Sequence, residues 1–200
     1  VPAGVAALFV AICTAVYFEE FDSKKSRFAG FVNINIQTLA GVPSIVFGIL
    51  GLAFVARGPL SWGFTVRTAS LVLGMMILPI MIVSAREAIR AVPPSLREGA
   101  YALGATRWQC VRYQVLPAAV PGIATGSILG ISRALGESAP LIMLGALAYV
   151  SSNPSSFSDY YTVLPLAIFK YATEAQEEFQ YAAAAAIIVL LVLMLSLNLL

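Results

Sequence analysis

The sequence predicts an all-α, polytopic membrane protein. Three observations carry this. Of 200 residues, 60% are hydrophobic and only 11% charged, less than half the roughly 25% charged share of a soluble domain. The apolar residues gather in runs close to the ~20 residues that a helix needs to cross a hydrocarbon core. The charged residues lie in collars between those runs.

The formal net charge of +2 is too small to point to nucleic acid and matters only through its placement. Histidine is absent, which removes the commonest haem and metal ligand and His-based proton relays. No cofactor, metal site or nucleic-acid partner is expected. Of the two cysteines, Cys13 lies in an apolar run and Cys110 in a polar segment, so both are expected as free thiols. The chain begins on Val1 and stops in an apolar run, so it is expected to be a segment of a longer protein.

In chain order, residues 1–18 form the first apolar run. It ends in a charged collar of Glu19, Glu20, Asp22, Lys24, Lys25 and Arg27, read as solvated. Residues 28–39 alternate apolar side chains with Asn33, Asn35 and Gln37, which suits a helix lying at the interface. Residues 40–56 are a second span interrupted by Gly41 and Pro43. Arg57-Gly58-Pro59 is a turn, and Trp62 beside it suits headgroup depth. Residues 65–84 are the third span, in which Met75 and Met76 read as packing. Residues 118–150 are too long for one plain span and contain Arg133, Gly136, Glu137 and Pro140, so a broken helix is expected. Residues 151–159 are a polar loop. Residues 160–180 are mixed, and Glu174, Glu177 and Glu178 read as a solvated face or a contact for an external protein. Residues 181–200 are the last of five spans.

Loop Lys and Arg set the orientation. Lys24, Lys25 and Arg27 fall on the same side as Arg86, Arg90, Arg97, Arg107 and Arg112, against Arg57, Arg67 and Lys170 on the other. The richer side is expected to be cytoplasmic. It carries residues 94–117, the one long polar segment between strongly apolar ones. Ser95-x-x-Glu98 and Thr106-x-x-Gln109 match capping boxes. Gly104 suits the left-handed residue that ends a helix. Two short helices are expected, about 96–103 and from Thr106 to about Tyr113, before Leu116-Pro117 leads into the next span. Ala100, Leu103 and Tyr101 would form one small apolar face, and Trp108, Val111 and Val115 another. Such a compact knob suits a groove on a partner.

Arg133 and Glu137 lie in the interior of an apolar run. Each costs at least about 2.5 kcal/mol at a membrane centre when unpaired. At i and i+4 they share a helix face and can pair. Two readings stand: a structural ion pair that pins helices, or a pair lining a polar path beside Gly136 and Pro140.

Glu98-Gly99-Ala100, then Gly104, then Gln114-Val115-Leu116-Pro117 resembles the cytoplasmic loop of ABC-importer permeases. Gly99 stands where that family has Ala, and Gln114 where it has an aliphatic residue; the spacing is kept. Gly41 to Gly48, Ser132 to Leu141, Leu164-Pro165-Leu166 and Gln176 to Phe179 resemble the phosphate group of that family. The Gly-Glu-Ser-Ala-Pro form at 136–140 points to one branch of the group rather than to its partner permease. The resemblance implies a type I ABC-importer permease fold with five of six spans present, the first missing, over residues 1–200. It implies a loop at 94–117 that docks on an ATPase subunit through Glu98, Gly99, Ala100, Gly104, Leu116 and Pro117. The implied partners are a second phosphate permease subunit, two cytoplasmic ATPase subunits, an external phosphate-binding protein and membrane lipid. Phosphate needs a fixed cation and donors, so Arg133 would contact it, Glu137 would temper the contact, and Ser132 and Ser138 would add hydroxyls. Arg67 would guide the anion in, or snorkel. A G-x-x-x-x-G-K-[ST] phosphate loop does not occur in these residues, so ATP would be hydrolysed by another chain. A permease for molybdate or sulfate, an ion-driven carrier and a membrane scaffold are the alternatives.

Overall fold

A backbone in lipid must satisfy its own N–H and C=O groups, and a helix does so within one segment. Among the residues described by the computed structural model, 2–22, 27–145 and 154–199, every regular element is helical. In order these are α1 (Pro2–Val16), prolonged by a π-helical turn Tyr17–Phe21, α2 (Arg27–Ala40), and α3 (Ser44–Leu50), prolonged by a π-helical turn Gly51–Ala56. Then follow α4 (Val66–Arg90), α5 (Pro94–Ala102), α6 (Arg107–Cys110) with a π-helical turn Val111–Val115, and α7 (Leu116–Gly136). The chain closes with α8 (Ala139–Met143), α9 (Leu164–Thr173) and α10 (Glu177–Leu199). Lys24, Lys25 and residues 146–153 lie outside the described residues.

Among the described residues, four helical runs are long and apolar enough to cross a membrane: Gly4–Phe21, Val66–Arg90, Arg107–Gly136 and Glu177–Leu199. The bent pair Gly30–Ala40 and Ser44–Ala56 makes a fifth if it counts as one span. The expected interfacial helix and second span correspond to the two helices of this pair, and the chain breaks between them at Gly41 and Pro43. Pro43 has no N–H to continue a helix and forces Val42 away from helical angles. The third span runs six residues further than the sequence indicated, because Arg86, Glu87 and Arg90 remain helical.

Contacts divide the chain into two units, 1–42 with 77–131 and 43–76 with 132–200. In the first, α7 lies antiparallel against α4 along a stripe of glycines. A Cβ added at Gly122 would meet Ala88 Cβ at 2.8 Å, one at Gly130 would meet Met81 Cε at 3.0 Å, and one at Gly126 would collide with the Ser84 hydroxyl. Glycine every fourth residue on one helix thus faces small or flexible side chains on the other. This is the small-residue packing that lets membrane helices approach where no water drives them together. Ala7, Ala11 and Ala15 turn the same kind of small-residue face of α1 inward. The core of this unit joins Ala15, Val16, Ala85, Ile89, Val92, Cys110, Val111 and Val115.

In the second unit α3 packs on α8, and Gly48 sits against the backbone of Pro140. The start of α4 is tied to the 154–159 segment. Val66 N–H donates to Asp159 O, Arg67 N–H to Phe157 O, and the Arg67 guanidinium to Ser158 Oγ at 2.7 Å. Arg67 also lies over the Trp62 ring at 5.9 Å. Helix α10 pairs with α9, where Tyr171 stacks on Phe179. Only 6% of the apolar window of α10 is buried.

Candidate docking loop and intramembrane ion pair

The polar segment becomes a helix, a left-handed turn and a longer helix. Pro93 is the N-cap of α5 and offers no side chain to it; Pro94 occupies the first helical position. The expected capping box at Ser95 does not form. The fixed φ of Pro94 starts the helix early, which puts Ser95 inside it, where a capping residue cannot be. The second box forms in full: Gln109 N–H donates to Thr106 Oγ1, and Thr106 N–H donates to Gln109 Oε1 at 2.8 Å. Gly104 sits at φ +81° between them.

The second short helix does not stop at Tyr113. It continues through Leu116 and Pro117 to Gly136 as one run. The π-helical turn explains how. Its wider turn shifts the hydrogen-bond register, so the missing N–H of Pro117 falls where the ladder is already interrupted. The same widening moves the faces. Val111 and Val115 point into the core, whereas Trp108 is exposed, so the expected apolar trio is split. What faces outward is Leu96, Tyr101, Leu103, Trp108 and Tyr113. Leu103 is 91% exposed and stands at the tip. Ala105, Gln109 and Tyr113 help line a cavity of about 420 Å³ behind it. Glu98, Gly99 and Pro117 are exposed, and Ala100 and Leu116 are partly packed against the core.

Behind the loop, Glu19 and Glu20 of the collar expected to be solvated instead enter a largely buried charge network. Glu20 is 6% exposed and pairs with Arg97 of α5 at 2.8 Å. Glu19 accepts from Arg86 at 2.8 Å and from Arg90 at 2.8 Å. Arg86 also donates to Asn33 Oδ1 and lies over the Phe18 ring. Arg107 lies over Phe21 at 5.7 Å. These groups surround a cavity of about 740 Å³. Sequence reading missed the network. The available signal was Glu19 and Glu20 at the end of one apolar run with Arg86, Arg90 and Arg97 at the end of another on the same side.

In the second unit α7 ends at Gly136, and the expected break falls at Glu137 and Ser138. Arg133 Nε stands 3.6 Å from Glu137 Oε1; the arginine side chain is half exposed, the glutamate 18%. Ser138 is the N-cap of α8, but its hydroxyl makes no capping bond. Ser132 is buried, and its Oγ has no hydrogen-bond partner. It is the residue before Arg133, so it points about 100° around the helix. The four expected residues thus resolve into one ion pair, a hydroxyl at the break and an unsatisfied buried hydroxyl on another face.

The family described as "Binding-protein-dependent transport system inner membrane component" matches residues 7–200. The chain belongs to that family. As a member it is a multi-pass protein of the inner membrane. It is 34% identical to the "Probable ABC transporter permease protein YqgI" of Bacillus subtilis, over 78% of this chain and 52% of that one. It is 35% identical to the "Phosphate transport system permease protein PstA 1" of Mycobacterium tuberculosis, over 88% of this chain and 58% of that one. The "Phosphate transport system permease protein PstC" of Mycobacterium leprae is 34% identical over 79% of this chain and 56% of its own length. The chain spans little more than half the length of these curated relatives. A solved structure, "Crystal structure of an amino acid ABC transporter with histidines", shares the fold at a TM-score of 0.66 and 17% identity, over 98% of this chain and 85% of that one.

Proposed function

We propose that this chain is one of two permease subunits of an ATP-driven phosphate importer, of the PstA type. It contributes half of the translocation path, docks on a cytoplasmic ATPase subunit through residues 94–117, and receives phosphate from an external binding protein. Hydrolysis belongs to two ATPase subunits, since this sequence carries no phosphate-binding loop.

The observation that carries the reading is the Arg133–Glu137 pair at the far end of the 30-residue helical run Arg107–Gly136, past its mostly apolar stretch. A guanidinium offers bidentate, planar donation that matches phosphate oxygens. At 3.6 Å from its carboxylate the arginine is held but not saturated. Phosphate can share it, and the nearby negative charge weakens the hold enough to let the anion leave. The helix break adds the Ser138 hydroxyl. Relatives named as phosphate permeases at about 35% identity support the substrate class.

The exposed apolar tip at Leu103, Trp108 and Tyr101 supports the docking role. These side chains are exposed among the described residues and suit a groove in a partner. Glu98, Gly99, Ala100, Gly104, Leu116 and Pro117 shape the knob, with Gly104 making its turn.

The test is uptake of radiolabelled phosphate by the full-length protein, reconstituted into proteoliposomes with its partner permease, ATPase subunits and binding protein. Arg133→Gln should abolish uptake and leave the complex assembled. Normal uptake in that variant removes the assignment. Stronger inhibition of wild-type uptake by sulfate or molybdate than by arsenate would move the substrate to another oxyanion.

A further inference from the structure

Helix α5 should not be able to hold its place by packing. None of its residues is buried, and only Ala100 leans on the core. Yet it is the outermost element of the proposed docking knob. Arg97 gives it a set of polar ties to the inner ends of its neighbours. Arg97 donates through Nε and Nη2 to Glu20 Oε1 at 3.1 and 2.8 Å, through Nη1 to Val92 O at 2.7 Å, and through Nη2 to Ile89 O at 2.9 Å. Ile89 lies in the last turn of α4 and Val92 just past its end, where helix carbonyls run short of internal donors; Ile89 O also takes the Val92 N–H at 3.3 Å. The carboxylate lies in the π-helical turn that ends the α1 run and is nearly fully buried. A planar guanidinium with four such bonds fixes both distance and angle. A buried carboxylate that loses its partner is strongly destabilised, so the contact cannot slip freely. Next to it, Glu19 ties the same end of α1 to Arg86 and Arg90 of α4.

We infer that Arg97 and Glu20 are positioning residues that couple the docking knob to the inner ends of α1 and α4, a second mechanical route beside the covalent one into α7. The inference rests on the proposed importer function. Movement of α5 by an ATPase subunit would then pull α1 and α4 together with it. With the clamp cut, the knob would still dock, but its motion would be absorbed in the loop between α4 and α5.

The clamp can be tested in the full-length, assembled complex with Glu20→Gln and Arg97→Lys. Gln keeps the size and one acceptor; Lys keeps the charge but cannot reach a carboxylate and two carbonyls as a fork. Two quantities are read. One is radiolabelled phosphate moved per ATP hydrolysed. The other is the reactivity of Cys13 toward a membrane-permeant maleimide, with any further cysteines of the complex outside these residues replaced; Cys13 is on an outward face of α1 within the apolar run, while Cys110 is buried, and labelling is read with and without vanadate-trapped nucleotide. In wild type, trapping should change Cys13 labelling. In each variant that change should be lost and phosphate per ATP should fall at least tenfold, while the ATPase subunits stay bound and hydrolysis continues. The inference is overturned if phosphate per ATP and the Cys13 response both stay at wild-type levels. It is equally overturned if uptake and hydrolysis fall together because the ATPase subunits dissociate, since the clamp would then serve assembly alone. Wild type that hydrolyses ATP and shows the Cys13 response without moving phosphate would sink the substrate reading and leave the clamp to be decided by Cys13.

Discussion

Gly48→Ala tests the contact that holds the helix break in place. An added Cβ at Gly48 would lie 2.6 Å from Pro140 Cα and 2.8 Å from Pro140 O, where ordinary contact begins at 3.4 Å. Both partners are backbone, so no side chain can rotate away. Helix α8 must retreat from α3 by about 1 Å. Overpacking of this kind costs about 1–3 kcal/mol, and rigid partners on both sides put it toward the upper end. Gly99→Ala is the matched control. Nothing lies within 4 Å of its added Cβ; the site is an exposed helix interior, where replacing Gly with Ala gains about 0.5–1 kcal/mol. Thermal unfolding of the full-length protein in detergent should therefore drop for Gly48→Ala and hold or rise for Gly99→Ala. Because Pro140 is two residues past Ser138, the first substitution should also reduce uptake. Equal unfolding temperatures for Gly48→Ala and wild type would refute the reasoning.

Three further outcomes are expected. Leu103→Asp, at a side chain 91% exposed, should leave unfolding within about 0.5 kcal/mol of wild type and remove ATPase subunits from the purified complex. Gly126→Ala should destabilise the α4–α7 contact by about 1–3 kcal/mol, and adding Ser84→Gly should recover most of that loss in the same unfolding assay, because Ser84 is what the new methyl meets. Asp159 accepts from the N–H groups of Ser156 and Ser155 and from the Ser155 hydroxyl, which hold its carboxyl below the ordinary 3.8. A lowered folded pKa means its stabilisation is complete above 3.8 and lost as pH falls through the folded value; hydrogen exchange at the Ser155 and Ser156 amides, corrected for intrinsic rate, should show protection failing only below 3.8.

The helical class, the spans and the break near Pro140 were legible because they follow from composition and from Pro and Gly chemistry, which act locally. Gly104 and the Thr106–Gln109 box were legible for the same reason. The Ser95 box was misread because two local rules compete there, and Pro94 at the first helical position prevails. The run through Pro117 was not legible, since a π-helical turn has no composition signature and reverses what a proline normally implies. The Glu20–Arg97 clamp was missed for a different reason. A charged residue at the end of an apolar run normally meets water, and only the tertiary arrangement brings these two together across 77 positions of sequence. For the ion pair, spacing predicted the contact correctly, while the orphaned Ser132 hydroxyl reflects a burial that no period along α7 announced.

Helix α10 buries almost nothing of its apolar surface within this chain. Its outer residues, Ile188, Val192 and Leu195 among them, have only to be greasy; they need no particular shape. Swapping one aliphatic side chain for another there should pass unnoticed, and the helix should drift in sequence faster than any other span. Two positions are held to a stricter standard: Ala183, which is buried, and Met194, which lies over Gly136. A substitution scan of α10 should therefore be flat along its outer face, with these two and Phe179, which stacks on Tyr171, as its sharp features.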